Sequence, residues 1–314
     1  MLENELIKVN RKHTVLFFCF YFLLITLMAG VIGYIIGYLN TIFFFFGFNP
    51  TKLTDGFLAY EHFLQGAMYG PVLAVAVFLV FFWFSRKIIT GITNANLAQV
   101  TREPYLVGKV ESLSAAVGIT PPQTYIIESN VPNAFAIGRN PQDASVAVTR
   151  GLINQLNREE LEGVLAHEIA HINNRDTLIA TFGAALSGTI AGITRFIGVL
   201  LWGNEPQPRP GCLAMMFILV VGWLFLLPLF SRLLNFALKR EREYLADASA
   251  VEIAGSPDGL INALIKINKY QHPKSNLAQK GLDSLFIVSP RNKQSAFQTH
   301  PPLARRIERL RKLS

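Results

Sequence analysis

The sequence predicts a mainly α-helical membrane protein, with four transmembrane helices carrying an α+β domain on one side of the bilayer. Three observations lead there. The 314 residues are 51% hydrophobic and only 16% charged, against about 25% charged in an ordinary soluble domain. Four stretches are apolar over the ~20 residues that cross a hydrocarbon core. The basic residues behind the formal net charge of +8 gather beside those stretches, at Lys8, Arg11, Lys12, Arg86 and Lys87 and after Leu238.

The first span, 15–39, contains no charge, and its length and the spans downstream argue against a cleaved signal peptide. The second, 67–84, stops at Ser85-Arg86-Lys87. The third, 178–202, is interrupted by Arg195, and the fourth, 213–238, carries Arg232 near its end. Arg195 is either a functional intramembrane charge or a residue facing a neighbouring helix. A short loop, GNEPQPRPGC, joins the last two spans into a hairpin. The chain thus divides into a membrane hairpin (1–84), a polar piece (85–177), a second hairpin (178–238) and a further polar piece (239–314). Lys and Arg concentrate on cytoplasmic sides of membranes. Both termini and both polar pieces are therefore expected in the cytoplasm. Residues 40–66 form the non-cytoplasmic loop, and TIFFFFGFN at its start is too short to span.

The composition also excludes several classes. Basic clusters flanking apolar spans are read by anionic lipid rather than nucleic acid, for which no recognition module is legible. Cys19 and Cys212 provide neither a disulfide framework nor a cysteine metal site, and read as two buried small hydrophobes. In the polar piece 85–177, Gln123–Glu128, Asn133–Gly138 and Ser145–Thr149 read as short strands. The piece 239–314 reads as helical around Tyr244–Ala254 and Leu303–Leu313. Neither piece has enough apolar periodicity for a large core alone, so the two are expected to pack together as one domain.

Asn157 opens a helix, NREELEGVLAHEIAHINN, with Glu160 completing a capping-box pattern. On it lies HEIAH. Residues four apart share a helix face, so His167 and His171 can grip one ion with Glu168 beside them. The spacing is that of a zinc site in which the glutamate is a general base toward water. A catalytic zinc takes three protein ligands and keeps a fourth position open. His13 and His62 stand at the wrong membrane locations, and a carboxylate on a separate helix is the expected third ligand.

The stretch ALKREREYLADAS, 237–249, offers three acids. On a helix Glu243 and Asp247 share a face, whereas Glu241 sits roughly 200° away from Glu243. One carboxylate of that pair binding the metal, and the other fixing a ligand imidazole, would make an inner and an outer shell. Ala246, Ala248 and Ser249 would let this helix approach HEIAH closely.

With these features the chain resembles the HtpX family of membrane-integrated zinc metalloproteases, heat-shock-associated peptidases more distantly related to the CAAX prenyl proteases. The resemblance rests on PNAFAIG (132–138), DASVAVTRGLI (143–153), LAHEIAHINNRD (165–176), REYLADA (242–248) and THPPLARRIERL (299–310), in family order across most of the chain. It implies a cytoplasmic α+β zincin-like (gluzincin) domain and one zinc ion per chain, held by His167, His171 and Glu243. It further implies Glu168 as catalytic base and Asp247 as the outer-shell partner. His300 and Arg306 match positions associated with transition-state stabilisation or support of the active site. Asn133, Ala134, Phe135 and Ala136 match the edge strand where a substrate peptide adds as a further strand. The 40–66 loop is longer and greasier than the family usually shows.

The expected activity is peptide hydrolysis at the cytoplasmic face of a bacterial inner membrane, since Asn173, Asn174, Arg175 and Asp176 do not suit hydrocarbon. The resemblance implies unfolded or misassembled membrane proteins as substrates, in quality control and the stress response. Other membrane proteases or further copies of the chain are the expected protein partners. His300 or Tyr244 would donate to the developing oxyanion, with Tyr244 equally readable as an ordinary packed aromatic. Two rivals stand beside this reading. A CAAX-type prenyl protease shares the chemistry but needs a larger intramembrane chamber. A non-catalytic scaffold with a structural zinc would have no need of Glu168.

Overall fold

The computed structural model describes residues 12, 14–19, 21–23, 26, 27, 30, 55–185, 240–269, 287 and 301–313. Most of the third expected span, all of the fourth, Arg195, Cys212 and His300 lie outside the described residues. The chain divides into two compact units, one formed by 1–11, 81–195 and 234–314, the other by 12–80 and 196–233.

In the second unit, residues 14–23 are part of a short apolar helix. Phe17 and Tyr21, one turn apart, are buried, and the Tyr21 hydroxyl donates to the Ala74 carbonyl at 3.3 Å. Cys19 lies about 200° round the axis from Phe17. It is exposed, not buried as the sequence suggested, because the packed face of that helix belongs to Phe17 and Tyr21.

Helix α1, Asp55–Thr93, runs 39 residues. Within it, Leu64–Thr93 is the one helix, among the described residues, long and apolar enough to cross a membrane. Met68, Tyr69 and Val72 are 73%, 71% and 68% exposed. A core helix of a soluble protein would hide such residues. The helix outruns the apolar span 67–84 at both ends, because Glu61, Gln65, Arg86 and Lys87 lower hydropathy without lowering helix propensity.

The first unit is built on a four-stranded sheet: β1 (Ala95–Leu97), β2 (Gln123–Ile127), β3 (Ala134–Gly138) and β4 (Ala144–Thr149), in the order β1-β2-β4-β3. Strands β2 and β4 are parallel, while β1–β2 and β3–β4 are antiparallel. Every residue of β3 and β4 is buried, so AFAIG and ASVAVT are mostly apolar on both faces rather than alternating. Between them Asn140 accepts the Asp143 amide proton at 2.9 Å. Gly138 is required at this corner, since a Cβ there would stand 2.7 Å from the Ala144 Cα.

The helices are α2 (Pro104–Ala116), α3 (Arg150–Gln155), α4 (Arg158–Asn173), α5 (Arg240–Ala254), α6 (Asp258–Lys269) and α7 (Leu303–Arg311). The capping box of α4 is present in both directions: Glu160 N–H donates to Asn157 Oδ1 at 2.8 Å, and Asn157 N–H donates to Glu160 Oε2 at 2.9 Å. Helix α4 is the centre of the unit. One core joins Val148 of β4, Leu165 and Ile169 of α4, Ala250 of α5, Leu264 of α6 and Leu310 of α7.

Helices α4 and α6 meet at backbone distance. A Cβ on Gly163 would come 2.4 Å from the Leu260 amide nitrogen, and one on Gly259 2.4 Å from the Glu159 carbonyl oxygen. Lys266 of α6 also reaches the Glu160 carboxylate at 2.8 Å. Helix α6 is an addition to the elements expected from the sequence. Its signal is Leu260, Ile261, Leu264 and Ile267 on one face, with the Ser256 hydroxyl accepting the Asp258 amide proton at its start.

Candidate metal centre

One turn of α4 separates His167 from His171, and their Nε2 atoms stand 3.2 Å apart. Glu243, carried on α5, closes the third side: Oε2 lies 3.8 Å from His167 Nε2 and Oε1 3.7 Å from His171 Nε2. These three are the group of acids, histidines or cysteines placed to hold a metal ion among the described residues. Two imidazole lone pairs so close repel each other unless positive charge lies between them. Two nitrogens on one tetrahedral zinc ion would stand about 3.3 Å apart. The donors present therefore fit such an ion.

The far side of each ring is held by a carboxylate. His167 Nδ1 lies 3.1 Å from Asp247 Oδ1, and His171 Nδ1 lies 3.0 and 3.1 Å from the two oxygens of Asp176. A carboxylate at Nδ1 keeps the ring proton there and leaves the Nε2 lone pair for a metal. Asp247 is in turn gripped at both oxygens by Arg306, through Nε at 2.9 Å and Nη2 at 2.7 Å. The Arg306 Nη1 donates to the Ile287 carbonyl at 3.0 Å and stands 3.7 Å from Glu243 Oε2. Arg306 is only 1% exposed, and a charge so deep is tolerable because it is paired.

Electrostatics follow the geometry. Burial works to raise the Asp247 carboxyl, but Arg306, helped by His167, outweighs it and brings Asp247 down to about 2. Burial works against the His171 imidazolium, yet Asp176, Glu243 and Glu168 together lift that ring to about 10 in the metal-free protein. Glu168, 3% exposed, is pushed above the ordinary carboxylate range by burial and further by Glu243. His167, His171 and a hydrogen bond from the Ala136 amide pull it partly back. A buried carboxylate with raised proton affinity, beside a metal site, is suited to accept a proton near neutral pH.

The structure brings together His167, Glu168, His171, Glu243, Asp247 and Arg306. Arg306 positions His167 by gripping Asp247 behind the ring, and its Nη2 also stands 3.4 Å from His167 Nε2. Asn133 Oδ1 accepts the Ile287 amide proton at 3.0 Å, which ties β3 to the chain held by Arg306. Ala134, Phe135 and Ala136 lie on β3, an edge strand of the sheet. His300 and the Glu241 side chain lie outside what is described. Tyr244 is half-buried beneath the Arg309 guanidinium, 3.8 Å from the ring centroid, as a packed aromatic would be.

Asp176 carries no role in the sequence motifs, yet it is the carboxylate behind His171. It lies past the end of α4, where Arg175 adopts a left-handed φ of 57° and turns the chain back toward His171. Arg242, buried beside Glu243, is also new. Burial lowers its pKa, and Asp176 is the carboxylate whose field opposes that.

The model of peptidase family M48 matches residues 101–314. The chain belongs to peptidase family M48. It is 41% identical over 270 residues to a protease HtpX homolog of Pyrococcus furiosus, covering 82% of this chain and 92% of that relative. A protease HtpX homolog of Listeria monocytogenes is 36% identical over 291 residues, covering 86% and 95%. These relatives place the chain among the HtpX proteases. Among solved structures, S. mikatae Ste24p aligns with a TM-score of 0.47 and 21% identity, over 79% of this chain and 58% of that one. The M48 peptidases are metalloproteases, so this member is a metal-dependent hydrolase of peptide bonds with a His-His-Glu site.

Proposed function

We propose that this M48 member is a zinc-dependent, multi-pass membrane endopeptidase that cleaves misfolded or misassembled membrane proteins in their cytoplasmic regions. The observation that carries this reading is the triad His167, His171 and Glu243, with Glu168 buried beside it and both imidazoles backed by carboxylates. The apolar helix Leu64–Thr93 supports a membrane location. Net basic charge beside the apolar stretches supports a cytoplasmic site, with both termini on that side of the cytoplasmic membrane.

When bound, zinc supplies Lewis-acid polarisation of the scissile carbonyl and lowers the pKa of an attacking water. His167, His171 and Glu243 hold it, and Asp247, Asp176 and Arg306 keep the two rings aimed. Glu168 takes the water proton on its carboxylate and later passes it to the leaving amine. The backbone of β3 aligns the substrate as an added strand, and His300 donates to the developing oxyanion.

The test uses the full chain purified in detergent with zinc, comparing wild type with Glu168→Ala on an unfolded protein and on a prenylated peptide. Cleavage of the unfolded protein by wild type, abolished by Glu168→Ala, is expected. Equal and negligible turnover by both proteins overturns the reading, and cleavage confined to the prenylated peptide replaces it with a prenyl protease. Glu243→Ala is expected to lose bound zinc by elemental analysis, and Glu241→Ala to keep it.

A further inference from the structure

Strand β3 turns alternate peptide groups toward β4 and away from it. The Thr149 amide donates to the Asn133 carbonyl at 2.9 Å, so residues 133, 135 and 137 bond to β4. The N–H and C=O groups of Ala134, Ala136 and Gly138 therefore point outward, along the free edge. Two of these positions are engaged from outside the sheet. The outward Ala136 amide faces the Glu168 carboxyl and favours its charged form, which sets where along the edge the chemistry occurs. The Gly138 amide donates to Thr181 Oγ1 at 2.9 Å, and the same hydroxyl lies 3.5 Å from the Gly138 carbonyl, to which it donates.

Thr181 belongs to the helical segment 177–185 and is 1% exposed. Thr177, Ile179 and Phe182 of the same segment are buried with it. One hydroxyl thus occupies both outward backbone groups of Gly138.

We infer that Thr181 ends the substrate-pairing edge at Gly138 and makes the cleft read its peptide substrate one-sidedly. This rests on the peptidase reading above and on substrate adding to β3 as a strand. The more stable antiparallel ladder runs the substrate from the Gly138 end toward the Ala134 end. Residues on the amino side of the scissile bond then meet Thr181 within about two positions of Glu168, since one outward group recurs every two residues. Strand pairing, and with it sequence preference, falls on the carboxyl side, toward Ala134.

The test is a length series of fluorogenic peptides with one scissile bond, extended by one to four residues on either side, given to the zinc-loaded full chain in detergent. Each protein is scored by the ratio of kcat/KM for long over short peptides, so that differences in active fraction cancel. In wild type, carboxyl-side extension is expected to raise kcat/KM by about fivefold per strand hydrogen bond gained. Amino-side extension beyond two residues is expected to leave it unchanged. In Thr181→Ala, which frees Gly138, amino-side extension is expected to gain about fivefold, and Thr181→Val, which keeps the bulk, a smaller gain. A wild-type gain on the amino side, or a Thr181→Ala ratio equal to wild type, overturns the one-sided cleft while leaving the peptidase standing. Failure to cleave any peptide overturns both.

Discussion

The two ligand histidines are held in different ways. His171 is backed by Asp176, five residues further on, through a turn that its own helix end provides. His167 is backed by Asp247 on α5, which is itself gripped by Arg306 on α7, more than a hundred residues from the ring it steadies. One support is local and forms with the end of α4. The other exists only when three helices distant in sequence have packed. The metal site therefore doubles as the fastening between the two polar halves of the chain, and loss of the distant support should cost stability as well as chemistry.

Removing Arg306 should have the largest effect. Arg306→Ala leaves Asp247 buried without its counter-charge, a loss of about 3–5 kcal/mol. Chemical unfolding of the metal-free protein in detergent measures it. A loss below about 1 kcal/mol would place the fastening elsewhere. The two outer carboxylates separate the local support from the distant one. Asp247→Asn and Asp176→Asn should each weaken metal binding by about 10–100-fold in chelator competition. Asp247→Asn should also lower the stability of the metal-free protein by unpairing Arg306, whereas Asp176→Asn should lower it only below about pH 10, by unpairing the His171 imidazolium.

The pH dependence of the metal-free protein distinguishes the same two sides. Asp247 is depressed from 3.8 to about 2. Its contribution is therefore complete above the unfolded value and disappears as pH falls through about 2, a change on the order of 2 kcal/mol. His171 is raised from 6.5 to about 10. Its contribution is present below 6.5 and is lost as pH rises through about 10. Asp247→Asn should flatten only the acid limb of the stability profile, and Asp176→Asn only the alkaline limb. The smallest effect should come from the element both sides share. Asn157→Ala removes the cap of α4 at about 1 kcal/mol, lowering thermal stability while leaving the two outer carboxylates in place.

Much of the site is legible without any fold, because its parts are local. The four-residue repeat of His167 and His171, and of Glu243 and Asp247, puts each pair on a helix face by geometry alone. The cap at Asn157 and the strands at 123–127, 134–138 and 144–149 follow from short-range preferences in the same way. Asp176 escapes such reasoning because its contact depends on one left-handed residue, Arg175, a conformation that an arginine's identity does not announce. Helix α6 escapes because its apolar face is short, and its fit to α4 depends on Gly163 and Gly259 approaching to backbone distance.

The amino-acid order alone was enough for the elements that carry the donors and for the family to which the chain belongs, because periodicity and capping act within a few residues. It took the folded chain to bring Glu243 to the two imidazoles, Arg306 to Asp247, and Thr181 over Gly138. Those contacts join segments from 43 to 76 residues apart. Such pairings are selected by packing into a common core rather than by any preference of the residues that make them.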